Sequence, residues 1–186
     1  MLNKILAWFW TRISLFSLRY IYRTCSRVWR FLFERKYKEM PKNLPWDVRQ
    51  VLEFFATCKW KRDPLWGTLD VISKPEKFYA TKTGDCDEWA AFAANVLPYE
   101  NMWLLSVTWY EPKTDKHKRA FTGHNVCLYY NNLKWYHIGN WGLYGPYKYF
   151  HEALRSIPPS WAVPCAFGVR DEKSLKVVIS GQLDKT

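Results

Sequence analysis

The chain has 186 residues, which suits one folded domain of ordinary size with an added segment. Hydrophobic residues make up 48% of it and aromatic residues 19%, so the composition excludes an intrinsically disordered chain. The formal net charge is +11, and the five cysteines and four histidines form no Cys-x-x-Cys, His-x-x-x-His or His-Glu-x-x-His pattern, so we expect a reducing compartment and no disulfide framework, metal site or cofactor.

Residues 1–39 form a basic arm. They hold nine Lys or Arg and two Glu, so they supply +7 of the net charge and the rest of the chain supplies +4. From Leu2 to Phe33 there is no glycine, proline or acidic residue, which favours a long helix. At about 100° per residue, five arginines fall within roughly 80° and large apolar residues lie opposite, so the pattern predicts a basic amphipathic helix. These arginines are Arg12, Arg19, Arg23, Arg27 and Arg30.

Three partners are compatible with this arm. The helix can pack on its own domain or a partner protein, or lie on an anionic membrane surface; binding to nucleic acid is the least favoured alternative. A membrane span is disfavoured because Arg12 and Arg19 interrupt every window of about 18–20 residues, and no small-residue site follows for a signal peptidase. Two prolines in residues 40–45 predict a linker, so we expect the main domain to cover residues 46–186.

The main domain begins with two predicted helices, at residues 47–57 and 85–97. The second follows Gly84, with Asp85 as its N-cap and Cys86 in its first turn. A helix N-terminus stabilises a thiolate and can also bind an oxyanion, so Cys86 is a candidate nucleophile. The carboxylates of Asp85 and Asp87 oppose a thiolate, which leaves a buried structural cysteine as the alternative.

A strand at residues 101–111 and a β-hairpin at residues 123–140 are predicted next. The apolar pattern favours a loop at residues 131–133, with residue 130 opposite 134, which sets His124 and Asn140 side by side on a core-facing sheet. A helix packed on that face would bring Cys86 to His124. A thiol, an imidazole and an amide that orients the imidazole are sufficient for thiol-dependent acyl transfer. The alternative interpretations are that His124 is a histidine of the core and that Asn140 is a turn residue. A helix at 147–156 and strands at 162–169 and 175–180 complete the predicted elements.

The motifs Gly-Asp-Cys-Asp-Glu-Trp-Ala, Gly-His-Asn-Val and Trp-Tyr-His-Ile-Gly-Asn occur in that order. This order resembles the transglutaminase-like cysteine peptidases of bacteria and their phages, within the papain-like superfamily, over roughly residues 45–141. The resemblance implies an α+β fold, in which the helix bearing Cys86 packs against an antiparallel sheet, and a catalytic Cys86, His124 and Asn140. Such proteins commonly have aspartate where this chain has Gly139, so Asn140 would replace it. The family's oxyanion tryptophan would be one of Trp66, Trp89, Trp103 and Trp109.

Two functions follow as expectations. The first is hydrolysis of a peptide or isopeptide bond in a peptide or protein substrate, by an enzyme that the arm holds near a membrane or a partner protein. The second is a catalytically weakened binding or assembly module, for example in a phage particle, whose arm makes the functional contact. The second expectation is motivated by the absence of the aspartate that the family commonly has at the position of Gly139.

Overall fold

The computed structural model describes residues 2–62, 71–112 and 120–183, and these residues form a mixed α+β structure. The helices are α1 (Leu2–Phe16), α2 (Tyr22–Phe33), α3 (Val48–Ala56), α4 (Pro75–Thr81), α5 (Cys86–Val96) and α6 (Phe150–Arg155), and a π-helical turn (Ser17–Ile21) joins the first two. The strands are β1 (Lys59–Trp60), β2 (Thr83–Gly84), β3 (Met102–Glu111), β4 (Ala120–Asn131), β5 (Lys134–Gly139), β6 (Gly142–Tyr147), β7 (Val163–Arg170) and β8 (Val177–Gln182).

Six of the strands form one antiparallel sheet in the order β6-β5-β4-β3-β7-β8, and β1 pairs with β2 in parallel. Helices cover both faces of the sheet. On one face, Leu104, Cys127 and Ile138 pack against α3, α4 and α5, and on the other face, Val126 and Leu128 pack against α6. Alternation along each strand therefore assigns every side chain to the α5 side or the α6 side.

Capping side chains set the starts of the two predicted domain helices. Asp47 accepts a hydrogen bond from Gln50 N, and Gln50 Oε1 accepts one from Asp47 N. Asp85 and Glu88 form the same reciprocal arrangement at the start of α5. Each box satisfies backbone N–H groups that have no partner inside the helix. The predicted helices at 47–57 and 85–97, and Asp85 as N-cap, are confirmed.

The predicted register of the hairpin is wrong by one residue. Cys127 pairs with Ile138, and Asn131 pairs with Lys134, so Asn132 and Leu133 alone form the loop. Both have positive φ, 48° and 61°, and a two-residue turn of this kind matches the twist of the strands. The apolar pattern failed here because both faces of the sheet are buried, so apolar side chains on one face do not exclude the other register. Strand β6 was not predicted; it pairs with β5 where the sequence suggested only a turn.

The arm packs on the domain. Helix α1 lies against β7 and β3, and Trp10 of α1 contacts Phe121 with ring centroids 4.9 Å apart. Helix α2 is bound through the backbone of residues 72 and 73. Arg30 donates to Ile72 O and Ser73 O at 2.8 and 2.9 Å, and Ser26 Oγ accepts from Ile72 N at 2.9 Å. Among the described helices, none is long and apolar enough to cross a membrane.

Candidate active site

A cavity of about 500 Å³ lies between α1 and the first turn of α5. It holds all three residues that the sequence proposed as catalytic, Cys86, His124 and Asn140. Its wall comes from α1, from residues 60 and 62, from β3 and β4, and from the turn after β5. The lining side chains include Trp10, Ile13, Ser14, Ser17, Trp60, Arg62, Thr108, Thr122 and Trp141.

Cys86 is the first residue of α5, and the turn before it requires glycine. A Cβ on Gly84 would lie 2.6 Å from Glu88 Cβ, so a larger residue would displace the capping glutamate. Glu88 Oε2 accepts from Asp85 N at 2.9 Å, and Asp85 Oδ1 accepts from Asp87 N at 3.0 Å. Asp85 is thus used as a cap, and the half-buried thiol of Cys86 lies at the positive end of the helix dipole.

Asn125 is the β4 residue that faces Cys86. It lies on the α5 side of the sheet, and its Nδ2 is 4.0 Å from Cys86 Sγ and donates to Asp87 Oδ1. Ser106 Oγ donates to Asn125 Oδ1, and the fully buried Arg170 donates to Ser106 Oγ at 2.6 Å. A hydrogen-bonded chain therefore runs from a buried guanidinium to the helix start that carries the thiol.

Sequence reasoning missed this chain of residues. The mistaken register placed His124 on the helix side of β4, and alternation then turned Asn125 away from Cys86. With the observed pairing, Asn125 shares a face with Ile138, which packs against α5, and His124 lies on the opposite face. Ser106 and Arg170 carry no motif, because β3 and β7 bring them together only in the folded sheet.

His124 lies on the α6 side with Val126 and reaches the cavity at its rim. Its ring stacks on Trp141, with centroids 3.6 Å apart and planes 11° apart. Burial, and to a smaller extent the charge of His137, lowers the pKa of His124 to about 3. The imidazole is therefore neutral near pH 7, and it is a weak proton acceptor while it stays buried.

Four buried polar atoms of the cavity have no hydrogen-bond partner in the described part of the protein. They are Trp10 Nε1, Ser14 Oγ, His124 Nε2 and Asn140 Oδ1. Buried polar groups are almost always paired, and those that are not often have a functional role. The set contains a donor, an acceptor and two groups able to act as either, which is what a peptide group requires.

Four tryptophans were proposed to bind the oxyanion, and none of the three that the structure describes lines the cavity. Trp66 is outside the described residues. Trp89 donates its indole N–H to Gly84 O, and Trp103 and Trp109 belong to the core on the α6 side. The tryptophans that line the cavity are Trp10, Trp60 and Trp141.

One group of side chains has the composition of a metal site. The ligand atoms of Asp85, Cys86 and Asp87 lie within 4.8 Å of one another. Asp85 is used by the helix cap and Asp87 accepts from Asn125, so both carboxylates already have partners. We assign no metal to this group.

No family model matches the chain, and no curated protein matches it. The functional argument therefore depends on the geometry of the cavity and on the motifs in the sequence.

Proposed function

We propose that this chain is a cysteine-dependent acyl-transfer enzyme that hydrolyses a peptide or isopeptide bond, with Cys86 as nucleophile, His124 as base and Asn140 as a positioning residue. The observation that carries the proposal is the cavity itself. It combines a thiol at a helix N-terminus with a neutral imidazole and with buried, unpaired donors and acceptors suited to a peptide group.

The reaction balances with these groups alone. His124 Nε2 takes the proton of the Cys86 thiol while Sγ attacks the carbonyl carbon of the substrate. The C–N bond then breaks, the leaving amine takes the proton from the imidazolium, and a thioester to Cys86 remains. Water attacks the thioester with His124 again as base, which releases the carboxylic acid and restores the thiol.

Asp87 disfavours a thiolate at Cys86, and Asn125 and the helix N-terminus oppose this effect. Cys86 Sγ lies 3.8 Å from Asp87 Oδ1, and a carboxylate at that distance disfavours negative charge on sulfur. The amide of Asn125 donates to the same carboxylate and lies beside the sulfur, so it reduces this repulsion and can donate to a thiolate. The chain through Ser106 to Arg170 holds the amide in place.

One further feature supports the transglutaminase-like assignment, and a second concerns the position at which this chain departs from the family pattern. The helix that begins with Cys86 packs on an antiparallel sheet, as the resemblance implies. Gly139 lies on the α6 side with His124, because its neighbour Ile138 lies on the α5 side, so aspartate at 139 would have been near the imidazole. Asn140 lines the cavity with its Oδ1 unpaired and is the remaining candidate for the third residue.

A binding or assembly module is the second candidate, and one observation favours it. His124 Nε2 has no hydrogen bond to Cys86 Sγ, and the His124 ring is stacked on Trp141. Catalytic hydrogen bonds are often absent until substrate binds, so this geometry is compatible with both functions. Chemistry at Cys86 distinguishes them.

The test is acetyl transfer from p-nitrophenyl acetate to the full chain, followed by mass spectrometry of the cysteine peptides. We expect an acetyl thioester on Cys86 that turns over, and a rate at least about 100-fold lower in His124→Ala. Cys58 is the internal control, because burial raises its pKa to about 11. Acetylation that does not favour Cys86, or that is unchanged in His124→Ala, supports the module.

The same assay tests Asn125. Asn125→Ala leaves the carboxylate of Asp87 beside the sulfur without its donor, so we expect acetylation of Cys86 to slow by about tenfold, the equivalent of one hydrogen bond. Asn101→Ala, which replaces an exposed asparagine before β3, is the matched control. Equal rates in the two variants contradict the role of Asn125.

A further inference from the structure

The arm buries several polar side chains and exposes many large apolar ones, which is unusual for a surface helix. Thr11, Ser14 and Ser26 are buried against the domain, whereas large apolar side chains point away from it. Phe9 is 55% exposed and Phe31 is 60% exposed. A helix that packs on a soluble domain normally buries its apolar side, so an apolar partner must cover the outer side.

Most of the exposed apolar side chains of the arm lie on one side of it; Phe33, at the end of α2, is an exception. With about 100° per residue in the α-helical parts and about 80° in the π-helical turn, they fall within a sector of about 150°, and the buried polar residues lie opposite. The π-helical turn keeps the two helices in phase. We call this sector the outer face; it consists of Ile5, Trp8, Phe9, Phe16, Tyr20, Ile21, Val28, Phe31 and Leu32.

The charge next to the outer face is positive. Arg12 and Arg27 are exposed along it, and Arg35, Lys36 and Lys38 follow at its end. No acidic residue occurs before Glu34, which is buried and paired with Lys77. Two copies that met through this face would bring their cations together, and nucleic acid would leave the apolar side chains uncovered. An anionic surface with an apolar interior satisfies both features.

Aromatic rings and guanidinium groups are paired along the same face. The Arg12 guanidinium lies 5.5 Å from the ring centroid of Trp8, and the Arg35 guanidinium lies 4.7 Å from that of Phe31. Such pairs suit the headgroup level of a bilayer, where aromatic rings enter the acyl region and cations meet lipid phosphates.

We infer that the outer face docks on an anionic lipid bilayer, with the arm parallel to the membrane plane. The side of the arm that carries Thr11, Ser14 and Ser26 packs on the domain, which leaves the outer face accessible to lipid. This inference does not depend on the chemistry of Cys86.

The experiment is flotation of the full chain with vesicles made of equal parts phosphatidylcholine and phosphatidylglycerol. We expect the chain to float with them, to float poorly with phosphatidylcholine alone, and to lose affinity at least about tenfold in the triple variant Trp8→Ser, Phe9→Ser and Phe31→Ser. The matched control is Leu133→Ser, Val178→Ser and Ile179→Ser, which changes three apolar residues, in the hairpin loop and in β8, that are about as exposed as those of the arm or more so.

Several outcomes would overturn the inference. The first is no flotation with the anionic vesicles, and the second is equal loss in both triple variants. Self-association that disappears only in the arm variant would assign the outer face to a second copy. Acetylation of Cys86 is measured on the same proteins, so failure of the docking and failure of the enzymatic proposal are distinguishable.

Discussion

At the scale of single residues, the neutral state of His124 depends on its burial, and Trp141 is the exposed ring that covers it. Trp141→Ala admits water, so we expect the pKa of His124 to rise from about 3 toward its ordinary value near 6.5. The unfolded imidazole binds a proton near pH 6.5 and the folded one only near 3. The free energy of unfolding therefore falls as the pH drops through this range, and the variant should show less of this fall.

The measurement is a proton NMR titration of the imidazole resonances. Tyr144→Ala is the matched control, because Tyr144 stacks on His137 with ring centroids 5.1 Å apart. That variant should raise the pKa of His137, which burial lowers to about 4, and should not raise the pKa of His124, because a charge on His137 only lowers it. A His124 that titrates near 6.5 in the unmodified protein contradicts the burial argument.

At the scale of elements, the capping box of α5 contains a buried acid. Burial and, less strongly, the charge of Asp85 raise the pKa of Glu88 to about 7, although hydrogen bonds from Ser73 and from the backbone of Asp85 and the charge of Lys77 oppose them. The folded protein thus retains a proton that the unfolded chain loses near pH 4.5. Stability from this group is complete below about pH 4.5 and is lost as the pH rises through 7.

Glu88→Gln removes this titration. Between about pH 5 and about pH 8 we expect the wild type to lose on the order of 2–3 kcal/mol more of its unfolding free energy than the variant, measured by urea denaturation at each pH. Glu152→Gln is the matched control, since Glu152 also accepts a hydrogen bond from the backbone N–H of an N-cap residue, at the start of α6, and hydrogen bonds from the backbone of Tyr149 and Lys148 lower its pKa. A loss that is equal in the wild type and Glu88→Gln would show that Glu88 is ionised throughout.

Sequence reasoning succeeded for elements whose signals are local. The N-cap of α5, the helix after it and β3 follow from short patterns, and each was predicted within one or two residues. The predicted hairpin register was wrong because the register depends on what covers the second face of the sheet. The helix that covers it, α6, lies ten residues beyond the hairpin. Cys86 and His124 do line one cavity, yet Asn125 was missed for the same reason.

At the scale of the whole molecule, the arm has two sides with different surroundings. Its inner side supplies Trp10 and Ser14 to the cavity, and each side chain of its outer face is at least 46% exposed. The predicted division at residues 40–45 separates the arm in sequence but not in space. Deletion of the arm would therefore remove one wall of the cavity, so point variants are the better test of its contribution.

Glu34, which follows α2, connects the arm to the domain. It is buried, and its carboxylate accepts from Trp29 Nε1 at 3.0 Å and from Lys74 N at 2.7 Å and pairs with Lys77 at 3.2 Å. Glu34→Ala leaves these donors unpaired, so we expect urea denaturation to show a loss of about 2–3 kcal/mol, and the amide of Lys74 to exchange faster with deuterium. Glu39→Ala, at an exposed position, should change stability by less than about 0.5 kcal/mol. If Glu34→Ala matches Glu39→Ala in both measurements, the interactions of Glu34 do not hold the arm to the domain in solution.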